Sequence, residues 1–311
     1  AMLLQAMDNL TDLTGNTKYK QSATSYLTFF LKNCPHPATG LFPWGEHAYW
    51  NFYEEKPAND IHEFLGGIPN SFWERMWAIN TKAVQGEADG LINHVKNLEN
   101  FDFDRHADLN TPLPTPRPEK YGGMNFARHA GFFIGVWTFT YSKTQNRKYL
   151  DWADKMIEHH WSMRSPKSGL PPDLKGRPKA SAVSTLSLAL NLLEAAELLT
   201  EGKSRDKYEE VATTYIDAIL RLPHKPEEGK FLVDLPMEAA PEDATGTYGE
   251  PYVYGYGGGF SGDYAGLLPA IYRLNNDRRA LKLAEAFADY YSRHNIPPVT
   301  NAVYARVYAS I

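Results

Sequence analysis

The 311-residue sequence has a single cysteine, Cys34, so no intramolecular disulfide can form and no thiolate zinc site can be assembled within the chain. It lacks any run of about 18 apolar residues, the length a bilayer-spanning helix needs. Positive charge is not in excess: 32 Lys and Arg against 37 Asp and Glu leave a net charge of −5, which removes the basic footprint of a nucleic-acid-binding protein. Short catalytic signatures are missing too. His62-Glu63 and the pair His159-His160 lack H-E-x-x-H or comparable spacing, and no G-x-S-x-G occurs, so neither a zinc enzyme nor a serine nucleophile is signalled. No metal and no cofactor are expected. The N-terminal AMLLQAMDNL begins inside a helical pattern with neither a basic n-region nor a cleavage site. Any export signal is therefore expected upstream of Ala1, for a periplasmic or secreted protein, with the cytoplasm as the alternative.

What is abundant is aromatic. Apolar residues make up 43% and charged residues 22%, close to globular averages, but Tyr, Phe and Trp reach 13%, as in proteins that stack flat ligands as well as fill cores. A weak repeat organises the chain through LTDLTGNTKYKQSATSYLTFF, FTYSKTQNRKYLDWADKMIEH, LLTEGKSRDKYEEVATTYIDAI and YRLNNDRRALKLAEAFADYY. Each is the end of one helix, a polar turn with Gly, Asn or Asp for the left-handed position, and a second helix opening on a basic residue. A fainter copy runs through FWERMWAINTKAVQGEADGLINHV, giving five hairpins, and VTNAVYARVYASI reads as an eleventh helix without a partner. The expected fold is all-α: one (α/α)6 toroid of helical hairpins over residues 1–311, in which one helix is short, displaced or lost from a longer natural chain. An open solenoid of hairpins is the alternative.

Within each hairpin the first helix is apolar or small on most faces, as in SAVSTLSLALNLLEAAELL, and the second is one-sided, as in KYEEVATTYIDAI. Connectors alternate with this pattern. Short turns lead from inner to outer helices, and long segments at 34–70, 98–124, 161–178 and 223–259 lead back, which puts all four long loops on one rim. Inner helices are expected to begin near Ser71, Asn125, Ala180 and Ser261. Long loops in a compact domain are usually functional.

The chemically able residues gather there. The first loop carries Trp44, Glu46, His47, Trp50, His62 and Glu63; the second carries Asp102, Asp104, Arg105 and His106, followed by Asn125, Arg128 and His129. The third offers Trp161 and Arg164, and the fourth Glu250, Tyr254 and Asp263. Each has a plain reading as a loop anchor or a structural ion pair, with Arg105 or Arg128 held by Asp102, Asp104 or Glu74. Together they combine arginines for a carboxylate, aromatic faces for sugar rings, and His, Tyr and carboxyl groups for proton transfer. An anionic sugar is the ligand class that uses all of these.

WGEH, IHEF, FDFDRH and NFARH, in that order at the starts of successive loops or inner helices, resemble the pattern of bacterial (α/α)-toroid enzymes acting on uronic-acid polysaccharides. The resemblance is nearest to glycoside hydrolase family 154, the β-glucuronidase family, with toroid uronate lyases beside it. It implies an exo-acting enzyme on uronic-acid-containing oligosaccharides or polysaccharides, with Glu46, His47, His62, Glu63, Arg105, His106, Arg128 and His129 around the substrate. The catalytic candidates are Glu46, His47, Glu63, His106 and Glu250. Trp44, Trp50, His62, Arg105, Asn125, Arg128, His129, Tyr254 and Asp263 are the substrate-binding candidates. Members of such families are often longer and carry a β-sandwich, so the chain is expected to be a fragment.

Two reactions compete. A hydrolase needs two carboxyl groups about 5 to 5.5 Å apart for retention or about 6.5 to 9.5 Å for inversion, and the loops supply many. A lyase needs a base for the proton α to the uronate carboxylate and an Arg or Asn to neutralise that carboxylate, which Asn125, Arg128, His129 and Tyr254 offer equally. Hydrolysis is the leading expectation, elimination the runner-up, and a non-catalytic sugar-binding toroid the third reading. Terpene-cyclase-like toroids are set aside, because FDFDRH does not match the acidic D-x-D-D cluster.

Overall fold

At the turns between helices a residue with positive φ is followed by a side-chain cap. The first helix, α1 (Met2–Thr14), stops at Gly15, whose φ is +69°, and Asn16 Oδ1 then accepts the Lys18 N–H at the start of α2 (Lys18–Asn33). The pair α5 (Ala127–Thr144) and α6 (Arg147–Ser162) repeats the device with Gln145 at φ 55° and Asn146 as the cap of Lys148. The pair α9 (Leu268–Asn275) and α10 (Arg278–Arg293) repeats it with Asn276 at φ 57° and Asp277 as the cap of Arg279. In the second copy glutamine takes the left-handed position, because Asn146 is needed as the acceptor one step later. In the remaining hairpins, α3 (Asn70–Ile79) meets α4 (Thr81–Gly90) at Asn80, and α7 (Ala182–Glu197) precedes α8 (Lys203–Leu220). Asn80 Oδ1 accepts the Ala83 N–H while its Nδ2 donates to the Leu31 carbonyl.

This computed structural model describes residues 2–43, 48–51, 53–58, 60–64, 67–112, 124–200, 202–249 and 266–294. Ten α-helices are present among them, paired as five hairpins. Trp44, Glu46, His47, Glu250, Tyr254, Asp263, the expected helix start at Ser261 and the eleventh helical pattern lie outside the described residues.

The long connectors contain short antiparallel strands that the sequence reading did not anticipate. In the first, β1 (Tyr49–Asn51) pairs with β2 (Lys56–Ala58), and β3 (Ile61–His62) pairs with β4 (Ala107–Asp108) of the second, with His62 opposite Ala107. In the third and fourth, β5 (Lys179–Ser181), β6 (Leu232–Pro236) and β7 (Thr247–Tyr248) form a three-stranded sheet, with Lys179 opposite Pro236 and Ser181 opposite Asp234.

The chain gathers into two units: Ala1–Met124 with Val136–Ala153, and Asn125–Gly135 with Asp154–Ile311. In the first, Trp73, Met76, Trp137 and Phe139 are almost wholly enclosed, and the Trp137 indole N–H donates to the Ala88 carbonyl. Cys34 is buried at the end of α2, and burial pushes its thiol up to about 11, which leaves it inert. In the second, eleven of the 16 residues of α7 are buried against seven of the 18 in α8, the difference expected between an inner and an outer helix. The N-terminal part of α5 approaches α7 closely, because Gly131 presents no side chain to Leu188 and Asn191.

Candidate functional site

The β3–β4 pair brings the first two long loops together in the first unit and sets Glu63 beside the Asp104–His106 run. Glu63 Oε1 lies 3.1 Å from an Arg105 guanidinium nitrogen, and its Oε2 lies 3.4 Å from His106 Nε2. The opposite ring nitrogen of His106 lies 3.4 Å from Asp104 Oδ1, which also accepts the His106 backbone N–H. Arg105 thus pairs with Glu63, while Asp102 goes to Lys96 and Glu74 to Lys143. Glu63, Asp104 and His106 are buried, and Arg105, with its side chain 23% exposed, is the face of the cluster that meets solvent. Burial pulls the His106 pKa down, but the hydrogen-bonding carboxylates of Asp104 and Glu63 outweigh it, so the net shift is upward and the imidazolium is favoured. The Arg105 N–H donates to the Met124 carbonyl, which anchors the second loop immediately before Asn125.

Beneath lies a second chain of contacts. His62 Nδ1 meets His94 Nε2 at 2.7 Å, and His62 Nε2 meets Glu87 Oε1 at 3.1 Å. Glu87 Oε2 accepts the Phe42 N–H, and His94 Nδ1 faces the Asp104 carbonyl oxygen at 2.9 Å. Burial drives the Glu87 pKa up against the opposing pull of His62 and the Phe42 N–H. Glu87 and His94 were not among the sequence candidates. Glu87 reads as an ordinary polar helix position, and the available signal is that it shares α4 with buried Ala83, Val84 and Ala88 rather than with the polar face.

The other candidates belong to the second unit, apart from Trp50, which sits in β1 of the first unit, half-buried, its ring edge-on to Phe29 at a centroid distance of 6.0 Å. Asn125 is buried. Its amide Nδ2 faces His159 Nε2 at 3.5 Å, and its Oδ1 accepts the Lys175 N–H. Arg128, on the first turn of α5, is half-buried with its guanidinium over the Phe126 ring at 4.7 Å. His129 is buried between Phe126 and Phe132. Trp161 and Arg164 stack on one another at 3.5 Å. His160 is held neutral by burial, with His159 adding to the effect, its pKa falling to about 3. Sequence reasoning also passed over Asp173, whose carboxyl group feels the charges of Arg128, Arg177 and Lys179, and the basic stretch from Lys175 to Lys179. Among the described residues no cluster of His, Cys, Asp and Glu is arranged to hold a metal ion.

The likeness to solved structures defines the class first. The cellobiose 2-epimerase of Spirochaeta thermophila DSM 6192 superposes with a TM-score of 0.60 at 13% identity, covering 96% of this chain and 74% of that one. The cellobiose 2-epimerase of Bacillus thermoamylovorans B4167 gives 0.62 at 12%, covering 94% and 74%. At such identities the likeness establishes the fold, an all-α (α/α)6 toroid of helical hairpins.

The sequence pattern of the periplasmic pectate lyase family matches residues 2–173, and the chain belongs to that family. A pectate disaccharide-lyase of Dickeya dadantii (strain 3937) is 23% identical over 191 residues, 54% of this chain and 35% of that protein. The chain therefore spans about a third of the length of this curated relative.

Proposed function

We propose that the chain is the toroid portion of a uronate lyase that cleaves pectate, or a related polyuronate, by β-elimination. One observation carries this reading. The matched family stretch, residues 2–173, contains Arg105 and Arg128, one or the other of which is expected to meet a uronate carboxylate, and each is held by a neighbour in its own unit: Arg105 by Glu63, and Arg128 by the Phe126 ring. In the reaction a base removes the proton on C5, α to the carboxylate. The electron pair becomes the C4–C5 double bond, and the glycosidic oxygen on C4 leaves with the C4–O bond electrons and takes up a proton. Water is not consumed. The C5 proton becomes acidic enough only when the carboxylate charge is neutralised, and a guanidinium does this with two parallel hydrogen bonds.

Arg128 and Asn125 are assigned to the carboxylate, because the Asn125 amide is locked by His159 and the Lys175 N–H and so needs no ordering on binding. His129, the next residue of α5, is assigned as proton acceptor. His106 is not suited to that role, since Asp104 and Glu63 favour its cation. Hydrolysis is the second reading: of the carboxyl groups the loops offer for it, Glu63 and Asp104 are already engaged by Arg105 and His106. We assign the protein to the periplasm by analogy with its family, to be checked by fractionating the natural host.

The test is product analysis on polygalacturonate. A 4,5-unsaturated uronide, absorbing in the ultraviolet and lacking added water by mass spectrometry, is expected. Products that have each gained one water would overturn the lyase reading in favour of hydrolysis, and no turnover on any uronide would leave a sugar-binding toroid.

A further inference from the structure

Just past the family match, the sequence runs Lys175-Gly176-Arg177-Pro178-Lys179, five consecutive exposed residues with three cations. We propose that this hairpin, with Arg128 beside it, is a carboxylate-binding face for a uronate unit other than the one being cleaved, so that the protein grips a polyuronate chain rather than a single sugar. The inference rests on the polyuronate reading above.

The hairpin is built, not loose. Asp173 N–H donates to the Lys179 carbonyl at 2.7 Å and closes its base, and Arg177 N–H donates to the Leu174 carbonyl at 2.9 Å across the turn. Gly176 supplies the turn's positive φ of 79° with open space around it, so its role is conformational. On the far side, Lys179 enters β5 opposite Pro236, and Met237 N–H donates to the Pro178 carbonyl. On the near side, Lys175 N–H is held by Asn125 Oδ1, the side chain assigned to the reacting uronate. One hairpin thus links the reacting-sugar residue to a cationic rim through backbone bonds at both ends. A turn kept only for solubility needs no such anchorage.

The charge balance points the same way. Arg128, Arg177 and Lys179 all act on Asp173, and Lys179 acts on Asp234 as well, while the five exposed residues from Lys175 to Lys179 carry three cations and no carboxylate. Burial disfavours the charge on both aspartates. Arg177 and Lys179 form no ion pair among the described residues. In a chain of net charge −5, such a local surplus is not the average surface. A pectate-like chain carries one carboxylate per sugar, so its next unit meets cations without any change in the reacting unit's contacts.

The experiment uses polygalacturonate as an immobilised probe in affinity gel electrophoresis, which reads binding without turnover, with folding checked by circular dichroism. Arg177→Ala/Lys179→Ala should weaken binding to the polymer roughly tenfold, and raising the salt should narrow the gap from the native protein. The loss should shrink as the ligand is shortened to the galacturonate dimer, and Arg177→Lys/Lys179→Arg should restore most of the binding. Native-like binding by the double alanine variant, or an equal loss at every chain length, would overturn the proposal. If binding falls as expected but no unsaturated product forms, the lyase reading fails and the polyuronate grip stands. If unsaturated product forms and binding is unchanged, the grip fails and the lyase reading stands.

Discussion

His62 Nδ1 lies 2.7 Å from His94 Nε2, between two imidazoles that are both completely buried. That contact fixes the proton inventory of the network around it. The Asp104 carbonyl can only accept, so His94 Nδ1 carries a proton; the contact between the rings needs a second, and the contact from His62 to Glu87 needs a third. Two neutral imidazoles supply two. The third makes the network either an imidazolium with a Glu87 carboxylate or two neutral rings with a protonated Glu87.

This count separates two substitutions at Glu87. Gln accepts the Phe42 N–H through its oxygen and donates to His62 through its amide, so Glu87→Gln satisfies every partner with one proton fewer. Its unfolding free energy should stay within about 1 kcal/mol of native. Glu87→Leu takes the acceptor from the buried Phe42 N–H and the Glu87 partner from His62 Nε2, and should cost about 3 to 5 kcal/mol. Urea unfolding of the two variants checks this, and equal losses would dismantle the network account.

At the proposed site the chemistry turns on guanidinium geometry. Arg128→Lys should lower kcat/KM on polygalacturonate at least tenfold, because an ammonium cannot make two parallel bonds to one carboxylate. Arg105→Lys tests the other cation in the same way. Little change in both variants would count against a uronate ligand altogether.

Hairpins were legible in the sequence because their turns carry short-range chemistry: Gly15-Asn16, Asn146 and Asn276-Asp277 are local signals, and α7 announces its burial by composition. The strands were not. Runs of two to five residues such as Ile61–His62 are too short to alternate visibly, and their pairing partners lie far along the chain. The site was legible in part for the same reason. Arg105, His106 and Glu63 stand out by type, whereas Glu87 is revealed only by what packs around it. Arg105 was expected opposite Asp102, Asp104 or Glu74 and is found on Glu63, because the β3–β4 pairing, invisible in sequence, brings Glu63 nearer.

Two histidines give the stability profile opposite slopes. The folded pKa of His106 is raised, so its contribution is fully present below the ordinary value of 6.5 and is lost as pH rises through the folded value. His224 is neutral by geometry, its Nε2–H donating to the Ile219 carbonyl while Nδ1 accepts the Leu232 N–H, and burial lowers its pKa to about 4. Its contribution is present above 6.5 and is lost as pH falls toward about 4, by at most roughly 3 kcal/mol. Urea midpoints across this range should show the alkaline limb flattened in Asp104→Asn and the acid limb reduced in His224→Asn. Limbs that match the native protein's in both variants would show that these groups do not govern them.

The close approach of α5 to α7 can be tested with two glycines on one helix. A Cβ on Gly131 would stand 3.1 Å from Leu188 Cα and 3.2 Å from Asn191 Cβ, so part of the obstacle is backbone that cannot swing aside. At Gly135 the nearest atom is Asn191 Oδ1 at 3.7 Å, an ordinary contact. Both changes to alanine gain helix propensity of up to about 1 kcal/mol, since glycine loses more backbone freedom on folding. At Gly131 overpacking of about 1 to 3 kcal/mol opposes that gain and outweighs it. Gly135→Ala should therefore raise the unfolding free energy slightly while Gly131→Ala lowers it. If both variants were stabilised by the same amount, α5 and α7 would have room between them, and the glycine at 131 would not be what sets their separation.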